Sequence, residues 1–424
     1  MAAQKKLFAG RILVAFFTGW LCFCGSAVAG EWPQWLGPNR DNKSQETGLL
    51  KKWPEGGPKL LWSVDGLGDG WASVSIADGL IYTTGKNSKT ESVYAIELTG
   101  KKKWQTESGP AWTGAYPSAR CAPTFDEGRL YVTTGSGTVT CLDAKTGQVK
   151  WTVDAFGKFK GSHGRWGTAE SPLIYDNMVF YMPGGNNTTV VAIDKMTGRI
   201  IWASAALDDN RAYVSPILVE RGDRKIIVGV TANYIIGVDA RDGTILWKYD
   251  YVKKHGKKRG ADINTTTPLY HDGNIYVTSG YDHVGVMLKL SEDGKDVSLK
   301  WVDETLDCHH GGVVFVDGYI YGASWKGNGD GNWVCLDWDT GKVMYDTHWI
   351  NKGAISYADG MLYCYEEKKG NVALVRATPE KFDIVSSFAV TKGTGEHWAL
   401  PVISGGRLYI RHGEVLMAYD IKAH

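Results

Sequence analysis

Apolar and polar residues alternate through most of the chain in short runs, each interrupted by Asp-Gly or an equivalent turn pair. The first clear instance is SIADGLIYTTG at 75–85, where an apolar run meets Asp78-Gly79 and a second run alternates about Ile81-Tyr82. Seven phrases of the same form follow: APTFDEGRLYVTTG, SPLIYDNMVFYMPG, SPILVERGDRKIIVGV, TPLYHDGNIYVTSG, GVVFVDGYIYGAS, AISYADGMLYCYE and LPVISGGRLYIRHG. Alternation with period two belongs to strands, and a two-residue turn of this composition joins them antiparallel. Between the phrases lies a third strand such as VTCLDA or IIGVDA, then a T-G or D-G turn and a run ending in an aromatic residue. Trp62, Trp104, Trp151, Trp202, Trp247 and Trp301 end six such runs at intervals of 42 to 54 residues, and Tyr345 and Phe388 end two more. Each unit predicts one four-stranded antiparallel sheet, eight in all.

A single sheet of this kind cannot bury both faces, so neighbours stack, and closing the stack into a ring leaves only short protected edges. The fold class predicted is all-β, an eight-bladed β-propeller. PKLLW at 58–62 has the form of a fourth strand with no first three before it, and GEVLMAYDIKAH at 413–424 ends after a third strand. The two chain ends are expected to share one blade. In this scheme the indoles fill blade interfaces, the glycines supply positive φ, and the turn aspartates satisfy backbone amides.

Composition agrees: 53 Gly, 18 Trp and 21 Tyr combine turn formers with large flat side chains, and 43% apolar with 22% charged residues excludes a disordered chain. Residues 1–29 read as a secretory signal, with Lys5, Lys6 and Arg11 before an apolar run from Ile12 to Phe23 and Ala27-Val28-Ala29 at the cleavage position. That run is too short for a membrane span, so the expected location is outside the cytoplasm, periplasmic or secreted. The expected divisions are the signal at 1–29, an N-terminal extension packing on the propeller at 30–57, and the propeller at 58–424. Of 47 Lys and Arg, three lie in residues 1–29 and none of the 46 acids does. The remainder is nearly neutral, which gives no reason to expect nucleic acid as a partner. Cys121, Cys141, Cys308, Cys335 and Cys364 are odd in number and lack C-x-x-C spacing, so neither a disulfide framework nor a zinc site is indicated. The glycine-rich run 327–332 reads as a hairpin tip.

The Trp-ended repeats over residues 31–424 resemble those of the pyrroloquinoline quinone (PQQ) dehydrogenases and the PQQ-like propeller proteins. Three segments, EWPQWLGPNRDNKSQETGLL, CHHGGVVFVDGYIYG and GEHWALPVISGGRLYIRHG, are similar to the exported propellers called polyvinyl-alcohol-dehydrogenase-like or outer-membrane-assembly-factor-like. The resemblance implies fold more than chemistry, because one propeller scaffold hosts enzymes and scaffolding proteins alike. Its catalytic alcohol dehydrogenases carry a vicinal Cys-Cys disulfide, a calcium ion held by Glu and Asn, and a catalytic Asp. Beyond residue 29 this chain has no Cys-Cys pair, no segment that matches the calcium and Asp positions, and no C-x-x-C-H haem motif. These departures count against quinone catalysis, and PQQ with calcium stays as the alternative cofactor.

Propeller sites lie at the axial mouth, where the loops entering the innermost strands converge. Those loops precede the eight repeated phrases and bring Trp71, Arg120, His163, Arg165, Trp166, Glu170, Arg211, Tyr213, Asn264, His309, His310, Lys352, His397 and Trp398 to one address. The outer turns carry mainly Lys, Asp and Gly. His309 and His310 would point to opposite faces of a regular strand, so both can serve one ligand only if Gly311-Gly312 breaks it. A metal would need further imidazoles, with His163 and His397 the candidates; hydrogen bonding by one histidine to a ligand, or satisfaction of both within the loop, are the other readings. No metal site is expected. The functional expectation is an exported monomeric propeller that binds a small molecule or another exported protein through its funnel. The alternatives are a PQQ-dependent oxidoreductase, with Trp166, Trp71 or Trp398 stacking on the cofactor and Arg120 or Arg165 holding its carboxylates, and an assembly scaffold at the outer membrane.

Overall fold

The computed structural model describes residues 30–162, 164–256 and 263–423. Residues 1–29, where a signal is expected, and His163 therefore lie outside the described residues. Eight antiparallel sheets follow one another along the chain. Blades 1 to 7 occupy 75–110, 124–154, 173–203, 217–250, 269–303, 308–347 and 353–389. Blade 8 takes three strands from 402–420 and its outermost strand from Lys59–Val64. That last strand pairs antiparallel with Val415–Asp420, Lys59 opposite Asp420 and Trp62 opposite Ala418, so the two ends of the chain close the ring. Two five-residue helices, Ala155–Phe159 and Tyr251–His255, follow the outer strands of blades 2 and 4.

The repeat is explained by contacts between successive blades. Just before the aromatic position of every outer strand the pairing register slips by one residue, at Lys150 before Trp151 and at Leu61 before Trp62, for example. A bulge of this kind re-aims the side chain that follows it. The Trp104 indole then lies on Gly147 of the next blade, where a Cβ would sit 2.7 Å from the ring, and its Nε1 donates to Ala144 O at 3.2 Å. Trp62 makes the same contact with Gly100 and donates to Leu98 O at 2.9 Å. The T-G turn glycine is thus demanded both by positive φ and by the neighbour's indole. In blade 7 the slip falls at Val385, so Ser386 holds the aromatic address and Phe388 lies two residues beyond it. Trp53 from the N-terminal segment fills the space, donating its backbone N–H to Ser386 Oγ and packing on Phe388 at 5.2 Å and Tyr363 at 6.1 Å.

Whereas Trp53 packs on the outer strand of blade 7, residues 32–44 of the same N-terminal segment enter the axis. Trp32 bridges Ile76 on the innermost strand of blade 1, and Pro33 O accepts from Phe125 N of blade 2. Arg40 donates to Ser171 O, Pro172 O and Pro216 O at the inner ends of blades 3 and 4. The chain then descends as Lys43–Ser44, pairing parallel with the inner strand of blade 7. Innermost strands converge without touching all round, and their free backbone groups need partners. The segment supplies them.

Candidate functional site

In an antiparallel meander, the connection into the first strand and the connection between the second and third strands leave from the same end of the sheet. On that face both sets of loops surround an axial cavity of about 420 Å3. Seven rings run round it in sequence. Trp71 meets Trp398 at 4.6 Å, Trp398 meets His310 at 4.8 Å, His310 meets His309 at 4.2 Å and His309 meets Tyr281 at 4.7 Å. Tyr281 then lies nearly parallel to Trp166 at 6.4 Å, Trp166 meets Tyr116 at 6.3 Å, and Tyr116 returns to Trp71 at 6.2 Å. Cations sit on this circuit: the Arg120 guanidinium is 5.3 Å from the Trp71 ring centroid and that of Arg165 is 5.7 Å from Trp166.

Arg120 is held by Trp166 O, Tyr116 O and Thr168 O. Burial pulls its pKa down to about 10, with Glu91 opposing the shift. Both histidines line the cavity because the pairing of blade 6 jumps from Cys308 to Val313, letting 309–312 leave the ladder at Gly312 with φ 74°. Burial, reinforced by Lys352 and Arg120, lowers His310 to about 3, and burial with His310 and Lys352 beside it holds His309 well below the usual imidazole range. Both rings are therefore neutral near pH 7, fit to donate or accept but not to act as cations. His310 Nε2 is buried without a hydrogen bond, 3.7 Å from Glu367 Oε2. Glu367 in turn pairs with Lys352, whose Nζ also donates to Gly327 O at 3.1 Å.

Of the residues picked from sequence, Trp71, Arg120, Arg165, Trp166, Tyr213, His309, His310, Lys352 and Trp398 line the cavity. Four others do not. Glu170 and Arg211 are buried side by side, Nη2 to Oε2 at 3.0 Å, and join blades 3 and 4 below the mouth. Asn264 spends its amide on Thr231 O and Ala232 O. His397 turns to Tyr365 Oη and stacks on His412 at 3.7 Å, so it is remote from His309 and His310 as a joint ligand. These four satisfy buried backbone or each other, the commoner fate of polar groups at an inner strand end. His163 is outside the described residues.

The lining residues that sequence reasoning did not select include Tyr116, Tyr281, Asn328, Glu367, Lys368 and Trp35. Tyr281, Asn328, Glu367 and Lys368 sit on connections between second and third strands, a second address on the same face. The Gly280-Tyr281-Asp282 turn was the signal available: an aromatic residue beside glycine between two strands, here with Tyr281 and Asp282 both at positive φ, 62° and 63°.

That turn is steadied by Asp307, which accepts the Asp282 amide at 2.7 Å and also takes those of Gly280 and His283. Burial nevertheless raises Asp307 to about 7. A carboxyl with a folded pKa above its unfolded value of 3.8 takes up a proton on folding, so its contribution falls as pH rises from about 4 to about 7. Wild type should lose stability relative to Asp307→Asn across that window. Urea unfolding of both proteins at several pH values measures the gap; a gap that does not change would contradict the environment described for Asp307.

A family model described as outer membrane protein assembly factor BamB matches residues 89–347. BamB of Moranella endobia is 20% identical over 283 residues, covering 65% of this chain and 69% of that protein. The quinoprotein alcohol dehydrogenase PedH of Pseudomonas putida is 24% identical over 209 residues, covering 41% of this chain and 32% of that protein, so the chain spans about a third of its length. Among solved structures, BamB from Moraxella catarrhalis gives a TM-score of 0.63 at 18% identity, over 86% of this chain and 98% of its own. The quinohemoprotein alcohol dehydrogenase from Comamonas testosteroni gives 0.72 at 12% identity, over 94% and 82%. At such identities the structural likeness speaks to fold alone. The dehydrogenase names raise a quinone and, through the resemblance, calcium. The cationic and aromatic side of the cavity suits a flat polycarboxylate. The metal side does not fit: among the described residues no three His, Cys, Asp or Glu side chains converge, and the lining carboxylates are Glu396 and a Glu367 already paired with Lys352. Among the described residues all five cysteines are free and buried, and none forms a disulfide over the cavity. With eight stacked blades and a family model that spans more than half its length, the chain belongs to the PQQ-like repeat family described as outer membrane protein assembly factor BamB.

Proposed function

We propose that the chain is an extracytoplasmic binding propeller whose axial cavity takes a flat, anionic small molecule without metal-assisted quinone chemistry. The observation that carries this reading is the closed circuit of seven rings with Arg120 and Arg165 over two of its indoles. Flat π-faces match the rings, and anionic groups match the guanidinium and ammonium heads of Arg120, Arg165, Lys352 and Lys368, which outnumber Glu367 and Glu396 in the lining. The neutral histidines add hydrogen-bonding groups without repelling either charge.

Titration of the full chain with naphthalene dicarboxylate, and with PQQ in the absence of added metal, should quench tryptophan fluorescence to saturation. Trp398→Ala should weaken binding about tenfold, the loss of one stacked ring and its buried area. Arg165→Ala should weaken it less and reduce its dependence on salt, because Arg165 is exposed at the rim. The family description favours a second reading, a scaffold for other proteins, under which neither probe binds and neither substitution alters the partner's affinity.

A further inference from the structure

The cavity's lower wall comes from outside the part of the chain that the family model matches. Residues 32–44 climb the axis, turn near Arg40 and descend along blade 7, and the tip of this hairpin presents Trp35 to the cavity. Trp35 Nε1 donates to Thr267 Oγ1 of blade 5 at 3.1 Å, which fixes the plane of the indole. Beneath it lies a void of about 10 Å3, lined by Leu36, Arg40, His310, Gly312 and neighbouring strand residues, with Trp35 shared between the two spaces. Thr265, Thr267 and His310 also line both spaces, so the indole forms part of the partition between a ligand-sized cavity and a void of water size.

The segment is firmly seated, so the partition has a defined position. Besides its three backbone acceptors, Arg40 donates through Nε to Gln34 Oε1 at 2.9 Å. Asn42 donates to Ile355 O and accepts from Ser356 Oγ at 3.1 Å. Leu50 N donates to Ile421 O at 2.8 Å, which anchors the descending arm to blade 8. Trp32, by contrast, is buried beside Ile76 and Tyr409 and has no place on the cavity wall. Two tryptophans three residues apart therefore do different work.

Resting on the reading of the cavity as a binding site, we propose that Trp35 is a ligand-contacting residue and that the axial segment 32–44 sets the depth of the cavity and so the length of ligand accepted. The blades supply the side walls and the segment supplies the floor. Ligands that reach the floor gain a stacking face; ligands one ring longer meet it as an obstacle.

Five full-length proteins test this, with naphthalene dicarboxylate and the longer anthracene dicarboxylate as probes. Trp35→Ala is expected to bind the naphthalene probe about tenfold more weakly while losing less for the anthracene probe, so that the ratio of the two affinities shifts toward the longer ligand. Trp35→Phe should recover most of the affinity and the original ratio. Trp32→Ala should unfold at lower denaturant yet bind both probes as wild type does once folded. Wild-type affinity and ratio in Trp35→Ala, together with weakened binding in Trp398→Ala, would overturn the assignment of Trp35 and leave the cavity reading standing. Unaltered binding in both Trp35→Ala and Trp398→Ala, or no binding by wild type, would overturn the cavity reading and this inference with it.

Discussion

Replacing Arg411 by alanine is expected to cost about 3–5 kcal/mol in urea unfolding, a magnitude typical of stripping a buried charge from its partners. Arg411 is 2% exposed on the second strand of blade 8, and its guanidinium reaches across the seam where the ring closes. Nη1 donates to Thr83 Oγ1 and Thr84 O of blade 1, Nη2 to Leu67 O at 3.2 Å and Gly68 O at 3.0 Å, and Nε to Gly413 O at 3.0 Å. No carboxylate is among these partners; the charge is held by carbonyl dipoles, and burial lowers its pKa to about 10. Alanine would remove this donor from Leu67 O and Gly68 O of the 65–70 connection and from Thr84 O and Gly413 O, most of them at buried positions. Lysine should recover only part of the loss, because one ammonium cannot address acceptors spread around a planar fork. A cost under about 1 kcal/mol for Arg411→Ala would show that the seam is held by strand pairing alone.

The second large effect is expected at Glu170. Its carboxylate is fully buried, takes Arg211 Nη2 at 3.0 Å and the Met182 amide at 3.2 Å, and burial raises its pKa to about 7 even with Arg211 beside it. Arg211 is 3% exposed and also donates to Tyr181 Oη at 2.5 Å. Glu170→Ala strands that guanidinium, and about 3–5 kcal/mol should be lost. The double variant Glu170→Leu, Arg211→Met removes both charges and fills the volume, so it should come much closer to wild type than the single variant does. Urea unfolding of the single and double variants decides the matter. If the double variant is as unstable as the single one, the pair contributes through its packing and its bonds to Met182 and Tyr181, and the stranded charge is not the cause.

Much of the architecture was legible because its causes are local or periodic. Asp78-Gly79 and Asp317-Gly318 both take positive φ at both positions, the geometry that a two-residue hairpin needs. The Trp spacing reported a contact between successive blades: Trp62, Trp104, Trp151, Trp202 and Trp301 each meet the turn glycine of the next blade, while Trp247 lies against Gly237 of its own. Where the pattern weakened, the reading slipped: the run DIVSSF ends in an aromatic residue, but register places Ser386 at the address, and Trp53 from far away in sequence fills it.

The chain's own order of residues determined the blade count, the turn chemistry, the closure of blade 8 by Lys59–Val64 and one ring of loops at the axial mouth. Each of these is written in spacing or in turn residues. Which members of those loops face the cavity was decided only in three dimensions. His309 and His310 share one side because the ladder opens between Cys308 and Val313, whereas Glu170, Arg211, Asn264 and His397 turn away to meet buried partners supplied by other segments. Trp35 reaches the cavity floor for a related reason: the inner strands leave backbone groups unpaired about the axis, and a segment with no repeat of its own folds in to satisfy them. Periodicity encodes contacts between like units, but it carries no record of which distant polar group will claim a particular side chain.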